Sequence, residues 1–311
     1  MTLQMPGSPK TRVIETLTNR FGTLSKLVAS QSLYLIGSDA ARIYFRYSKL
    51  HSGRGFFGLR KSDLDQLEGH NSFICFLVDD GSAPVFVPYS DFEELFRQST
   101  PAADGQFKVQ LFTQLGIREL YIAREGRFNV EGFVGFDRLA RSLEVQQFHP
   151  GREFTHSQVQ TLLAGIGHAK GYDVYVPSNN VAGLDWSLTK PFSLLKTIPN
   201  GYRDVSRILA EIDVLWVAEG RNAIEGLFEV EHSTSIYSGL LRLNDVFLAN
   251  PEIRRFSIVS DEARRSAFAR QAFRPTFRKS GLSELVGFME YANVYWWHRR
   301  LVPECEGGTH Q

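Results

Sequence analysis

Two cysteines, Cys75 and Cys305, are the only thiols in 311 residues, too few and too far apart for a disulfide framework or a zinc-ligand set. Cys75 sits inside "FICFLV", the setting of a core residue, and a reducing compartment follows. The chain also lacks any run near the roughly 18 apolar residues of a membrane span, and "MTLQMPGSPKTR" has no signal-peptide core. These absences predict a soluble cytoplasmic protein with no membrane partner. An excess of one charge sign is missing too. The 35 basic and 34 acidic side chains leave a formal net charge of +1, so any polyanion site must come from local clustering. No internal repeat or low-complexity tract is present. What the chain does have is apolar residues, 43% with 13% aromatic, enough to bury a sizeable core in two domains of about 150 residues each.

Residues 10 to 36 place Val13, Ile14, Leu17, Phe21, Leu24, Leu27 and Val28 at helical spacing, which predicts one or two helices. From Leu33 to about Phe136 the pattern becomes short aromatic and β-branched runs such as "RIYFRYSKL", "SFICFLV" and "QFKVQLF", separated by turn residues. In between, "YSDFEELFRQS" predicts a short helix capped by Ser90 with Glu93 three residues on. The fold class expected for residues 1–150 is therefore β-rich α+β, a partly open barrel with an N-terminal helical segment. Pro150 and Gly151 interrupt the pattern within a linker at 145 to 152. Residues 151–311 then predict an α/β domain. Thr155 and Gln158 form a capping box for a helix with Val159, Leu162, Leu163 and Ile166 on its buried stripe, ended by Gly171. Strands "YDVYVP", "IDVLWVAE" and "GLFEVEHS" follow, then helix "SIYSGLLRLNDVFL", strand "RFSIVS" and helix "DEARRSAFARQAF".

In "GLFEVEHSTS", Glu229 and Glu231 stand two apart in an apolar stretch. On a strand they share a face, while Phe228, Val230 and His232 take the other. Burying two carboxylates without a cation costs several kcal/mol, and the usual relief is a bound cation or a raised pKa. Asp213 in "EIDVLW" supplies a third carboxylate if its strand lies beside theirs. Mg²⁺ prefers such oxygen ligands and is usually held by one or two carboxylates plus phosphate oxygens. The bland alternative is the solvent face of an edge strand. His232 reads as a packed residue, Asp173 as either a further ligand or a surface residue, and Asp245 as solvated.

One acid on a strand, an acid-x-acid trio on the next, and the helix, three strands, helix, strand order resemble the PD-(D/E)XK nuclease superfamily of restriction and repair nucleases. The resemblance covers roughly residues 152 to 280. It implies a restriction-endonuclease-like mixed sheet flanked by helices. It also implies a catalytic set of Asp213, Glu229 and Glu231, with Asp213 and Glu229 as Mg²⁺ ligands and Glu231 where the family usually has Lys. The implied function is a Mg²⁺-dependent endodeoxyribonuclease of restriction or defence type acting on double-stranded DNA. Asp213 and Glu229 would hold the metal against the scissile phosphate, and Glu231 would orient or deprotonate a water. Glu153, Gln158 and Arg242 are candidates for support. Such enzymes often act as symmetric dimers when they cut both strands of a palindrome, so a homodimer is left open.

A DNA surface is expected in "RIYFRYSKLHSGRGFFGLRK", residues 42 to 61, which carry basic residues between aromatics and no acid. Arg42, Tyr44, Arg46, Lys49, Arg54, Arg60 and Lys61 are its candidates. A second basic stretch, 254 to 279, adds Arg264 and Arg265. The same sequences also suit an ordinary half-exposed strand and a solvated helix face. "NVYWWHRRL", with Trp296 and Trp297, reads as packing. The runner-up function is a non-catalytic nucleic-acid-binding protein on a degenerate nuclease scaffold. A third class is a structural protein without DNA affinity.

Overall fold

In the computed structural model, which describes residues 8–27, 30–79, 82–113, 117–146, 153–232 and 235–302, the chain divides into unit 1, Met1–His149, and unit 2, Pro150–Gln311. Cys305 lies outside the described residues. No helix among them is long and apolar enough to cross a membrane.

Unit 1 opens with α1 (Pro9–Phe21), β1 (Leu24–Lys26), β2 (Leu33–Ile36), β3 (Ala41–Ser48), β4 (Leu50–His51), β5 (Arg54–Arg60) and α2 (Lys61–Asp65). It continues with β6 (Ser72–Val78), β7 (Val85–Pro88), α3 (Glu93–Gln98), β8 (Gln106–Phe112), β9 (Glu119–Ile122), β10 (Gly126–Asn129) and α4 (Asp137–Gln146). Ser8 starts α1 by accepting from the Thr11 amide at 3.2 Å, with Pro9 in the first turn, and Gly22 at φ 93° stops it. The helical spacing expected over residues 10 to 36 ends there, and Val28 lies outside the described residues. Leu24 to Lys26 pair antiparallel with β2 instead, because a short apolar run satisfies both periods and a neighbouring strand decides. Ser90 does not cap α3. Its hydroxyl bonds Asp91, and a 3₁₀ turn, Tyr89–Asp91, precedes the helix.

The strands form two five-stranded sheets rather than a barrel. One, in the order β1-β2-β3-β6-β7, is mixed, since β3 and β6 run parallel; the other, β10-β9-β8-β5-β4, is antiparallel throughout. Their inner faces share one core: Tyr44, Ile74 and Val87 from the first pack with Phe57, Val109 and Ile122 from the second. The outer face of the first sheet carries Ile43, Phe45, Phe73, Cys75 and Phe86 and packs against Val13 and Leu17 of α1 and Leu139 of α4. Cys75 is fully buried, and burial pushes its thiol well up from the usual range, as the sequence setting implied.

Unit 2 contains α5 (His156–Ala169), β11 (Tyr172–Tyr175), α6 (Ser178–Val181), α7 (Ser206–Leu209), β12 (Val214–Ala218) and β13 (Ile224–Val230). After these come α8 (Ile236–Ala249), β14 (Phe256–Ser260), α9 (Arg265–Ala272), α10 (Pro275–Ser280), β15 (Val286–Glu290) and α11 (Tyr291–Leu301). The expected capping box is formed: Thr155 accepts from the Gln158 amide, the Gln158 carbonyl oxygen accepts from the Thr155 amide, and Gly171 follows the helix end at φ 77°. One five-stranded sheet runs β11-β12-β13-β14-β15, antiparallel across the first three strands and parallel across the last three. α5 and α11 cover one face, with Trp216 and Trp297 fully buried and their rings 5.5 Å apart. Packing is thus the role of Trp297. α8, α9 and α10 cover the other face over Leu215, Leu227 and Ile258.

Candidate active site

β13 is the strand where the sheet changes from antiparallel to parallel, and the acids gather at its C-terminal end. The β12–β13 register pairs Val214 with Phe228, so Asp213, one step earlier, stands beside Glu229. The contact is direct: Asp213 Oδ2 accepts from the Val230 amide at 2.8 Å. Glu229 and Glu231 point to the α8 side, the same side as Leu227, as the period-two alternation requires. Neither faces solvent. Glu229 is 0% and Glu231 1% exposed, which removes the edge-strand alternative for this pair.

Helices on both sides reach these acids. From α5, His156 Nε2 lies 3.1 Å from Asp213 Oδ1, and the Gln160 side-chain amide donates to the same oxygen at 3.0 Å. These two residues are one helical turn apart, so one face of the first turns of α5 supplies both contacts. From α8, Arg242 donates to both oxygens of Glu229, at 2.7 and 2.9 Å, and its Nη2 stands 4.0 Å from Glu231. Gly239, three residues before Arg242, lets α8 approach: a β-carbon there would stand 2.5 Å from Glu231 Oε1. The strand end is tied from the far side. Arg264 donates to the carbonyl oxygens of Glu231 and His232 at 2.7 and 2.9 Å, and Ser260 Oγ donates to the first of these.

The electrostatics follow from burial. Desolvation pushes the Glu229 carboxyl up to about 8; Arg242 opposes this, and the nearby Asp213 and Glu231 add to it. The hydrogen bond to Asp213 holds His156 above its ordinary value, against the cost of its partial burial. Three carboxyl groups therefore face the Arg242 guanidinium and the His156 imidazole. The acids form the floor, with side chains 12%, 1% and 2% exposed for Asp213, Glu229 and Glu231, while His156 at 37% and Arg242 at 30% form the rim. An anion approaching this site meets the Arg242 guanidinium before the acids.

Of the supporting candidates, Arg242 is at the centre. Gln158 completes the cap and also bonds Asp185 at 3.0 Å, away from the acids, and Glu153 is exposed. His156, Gln160 and Gly239 were not found from the sequence. A spacing of four on a helix entering the sheet beside Asp213 was the one available signal. Asp173 lies on β11 opposite Val217, and Asp245 is exposed on α8. His232 is exposed and stacks on Tyr291 with ring centres 6.2 Å apart.

The expected DNA-contact residues separate in the structure. Arg42 and Tyr44 are not on a surface: Arg42 is 4% exposed, gripping Asp39 at 2.8 and 2.7 Å, and Tyr44 is 0% exposed within the intersheet core. Their strand is paired on both edges and covered on both sides, so alternation does not bring one face to water. Arg46 is half-buried with its guanidinium over the Tyr44 ring at 5.4 Å. Lys49, Arg54, Arg60 and Lys61 are exposed, the last paired with Asp65. Arg264 grips the carbonyls of Glu231 and His232 just past β13, and Arg265 is held by Glu262 at 2.8 Å and by Glu290.

A helix, three antiparallel strands with two short helices between the first and second, a long helix and a parallel fourth strand around a buried acid cluster define a class of α/β domain. Within it, the family described as Type II restriction enzyme NmeDI C-terminal domain matches residues 139–299, just over half of the chain. The chain belongs to this family. No curated protein and no solved structure matches it.

Proposed function

We propose that the chain is a divalent-metal-dependent DNA endonuclease of restriction type, built on a PD-(D/E)XK-like core with Glu231 in place of the usual Lys, and that unit 1 recognises the DNA. The observation that carries this is the convergence of Asp213, Glu229 and Glu231 at one strand end beneath a cationic rim, in a chain of the NmeDI family.

Among the described residues, no three His, Cys, Asp or Glu side chains form a metal-binding group. The donors nonetheless suit Mg²⁺ in its usual open mode, two carboxylates completed by water and phosphate oxygens, with Asp213 and Glu229 as the residues that would hold it. The raised Glu229 carboxyl fits this reading, because a carboxyl stripped of water by burial, with two further acids beside it, is relieved by a bound cation. When bound, the metal would polarise the scissile phosphate and make its water more acidic. The protein's own groups do the rest. Gln160 and the Val230 amide fix the Asp213 carboxylate, Arg242 holds Glu229 and faces the entering phosphate, and Glu231 orients or deprotonates the attacking water. His156 presents Nε2 to Asp213 and is placed to hold a proton at the rim.

Incubation of the purified chain with plasmid and phage DNA, with and without Mg²⁺, tests the proposal. Discrete Mg²⁺-dependent fragments are expected, lost in Asp213→Asn and in Glu229→Gln while DNA binding persists; undiminished cutting by both variants overturns the assignment. One observation favours the second reading, a non-catalytic DNA-binding protein, since Arg242 already occupies both Glu229 oxygens. Calorimetry with Mg²⁺ and duplex DNA together decides it, because that reading requires no metal uptake dependent on Asp213.

A further inference from the structure

In unit 1 the outer face of the mixed sheet is covered by α1 and α4, whereas the outward residues of the antiparallel sheet are exposed or half-buried, apart from Phe112 beneath two guanidiniums. Buried and exposed residues alternate along β5, and inward Val109, Leu111, Leu120 and Ile122 continue the pattern on β8 and β9. The outward residues are not those of an ordinary solvated sheet. Phe56 is 51% exposed in the open. The register sets Gln110 opposite Phe56, Tyr121 opposite Gln110 and Arg127 opposite Tyr121, so one row across four strands alternates aromatic with amide and ends in a guanidinium. Beside that row, the Arg54 and Arg127 guanidiniums both lie over the Phe112 ring, at 5.1 and 4.2 Å.

Gly58 adds a second, independent feature. A β-carbon at that position would fall on Oε1 of Gln106, so the missing side chain lets the Gln106 amide lie across β5, between Phe56 and Arg60. Arg60 and Arg54 close the strand at its two ends, both exposed. Two acids temper the charge, Glu119 on Arg127 at 3.2 Å and Asp104 on Lys108, and the face remains net basic.

We propose that this face of the antiparallel sheet binds double-stranded DNA, with Arg54, Arg60 and Arg127 on phosphates and the Gln106 and Gln110 amides beside Phe56 directed at base edges. Charge selects the partner: Arg54, Arg60, Arg127 and Lys108 against Glu119 and Asp104 leave a net positive face spread over the sheet, which matches a polyphosphate. The amides have the donor and acceptor pair that reads adenine in the major groove, and an apolar ring beside them suits a thymine methyl. The inference deepens the reading of unit 1 as the recognition module and rests on it, but not on catalysis.

The test is fluorescence anisotropy of the full chain with a labelled duplex in EDTA, at several salt concentrations. Arg54→Ala/Arg60→Ala/Arg127→Ala should weaken binding at least tenfold and reduce the logarithmic salt slope by roughly 2 to 3, about one per phosphate contact. Phe56→Ala should weaken it with the salt slope kept. The control is Arg138→Ala/Arg141→Ala on α4, which should leave affinity within about twofold. Unchanged affinity in the triple variant, an equal loss in the control, or tighter binding of the matching single strand overturns the proposal. A chain that binds DNA through this face without cutting it removes the nuclease reading alone. Asp213-dependent cutting by a triple variant with normal affinity removes this one alone.

Discussion

Gly239→Ala separates the site's geometry from the stability of the fold. Within a helix, Ala is favoured over Gly by up to about 1 kcal/mol. Here the added methyl group would stand 2.5 Å from Glu231 Oε1 and 3.2 Å from Ile258 Cδ1. The second distance needs a shift of a few tenths of an ångström. The first needs close to 1 Å, and the Glu231 main chain cannot supply it, because its carbonyl is held by Ser260 and Arg264. The side chain must therefore rotate from its preferred torsions, at roughly 0.5–1.5 kcal/mol. The two contributions nearly cancel, so thermal or urea unfolding should place the variant within about 1 kcal/mol of the parent. Cleavage has no such compensation. If Glu231 acts on the attacking water as proposed, an ångström's displacement should lower single-turnover cleavage by about 10²-fold. A variant more stable than the parent by about 1 kcal/mol and fully active would refute both the tight approach of α8 and the role given to Glu231.

Arg42→Met should destabilise unit 1 by about 3–5 kcal/mol, since it leaves Asp39, 1% exposed, with His70 at 3.6 Å as a weaker partner; DNA affinity at a temperature where the variant is folded should not change. Normal stability with weakened DNA binding would return Arg42 to the surface. Burial, with Arg299 adding, pushes His298 down to about 4 from its ordinary 6.5. Between those values the unfolded chain binds a proton that the folded one refuses, so stability falls as pH drops from about 6.5 to about 4, by at most about 3 kcal/mol. Denaturation midpoints across that range should have a shallower pH slope in His298→Gln, and an identical slope would rule out His298 as the source.

Local patterns carried the parts of this fold that are themselves local. The α5 capping box depends on residues three apart, and the shared orientation of Glu229 and Glu231 on residues two apart, so both were legible. Depth was not. Arg42 and Tyr44 alternate with Ile43 and Phe45 as a half-exposed strand would, yet β3 lies between β2 and β6 with apolar layers on both sides, a fact held by distant residues. The same blindness hid His156 and Gln160, whose meaning depends on α5 meeting the start of β12 some fifty positions later. Arg264 and Arg265 looked available for phosphate because their partners, the Glu231 and His232 carbonyls and Glu290, are set by tertiary contacts. Leu24 and Leu27 fitted either period, and pairing with β2 made the first a strand residue.

Arg264 takes hold of the polypeptide through the carbonyls of Glu231 and His232, groups that every residue possesses. Position 232 should thus accept many amino acids without harm, while position 264 accepts almost none. A library randomised at both sites and selected for survival of activity should return a varied column beside an arginine-only one. The most vulnerable residue near the acid cluster would then be one that a catalogue of its chemical groups leaves out.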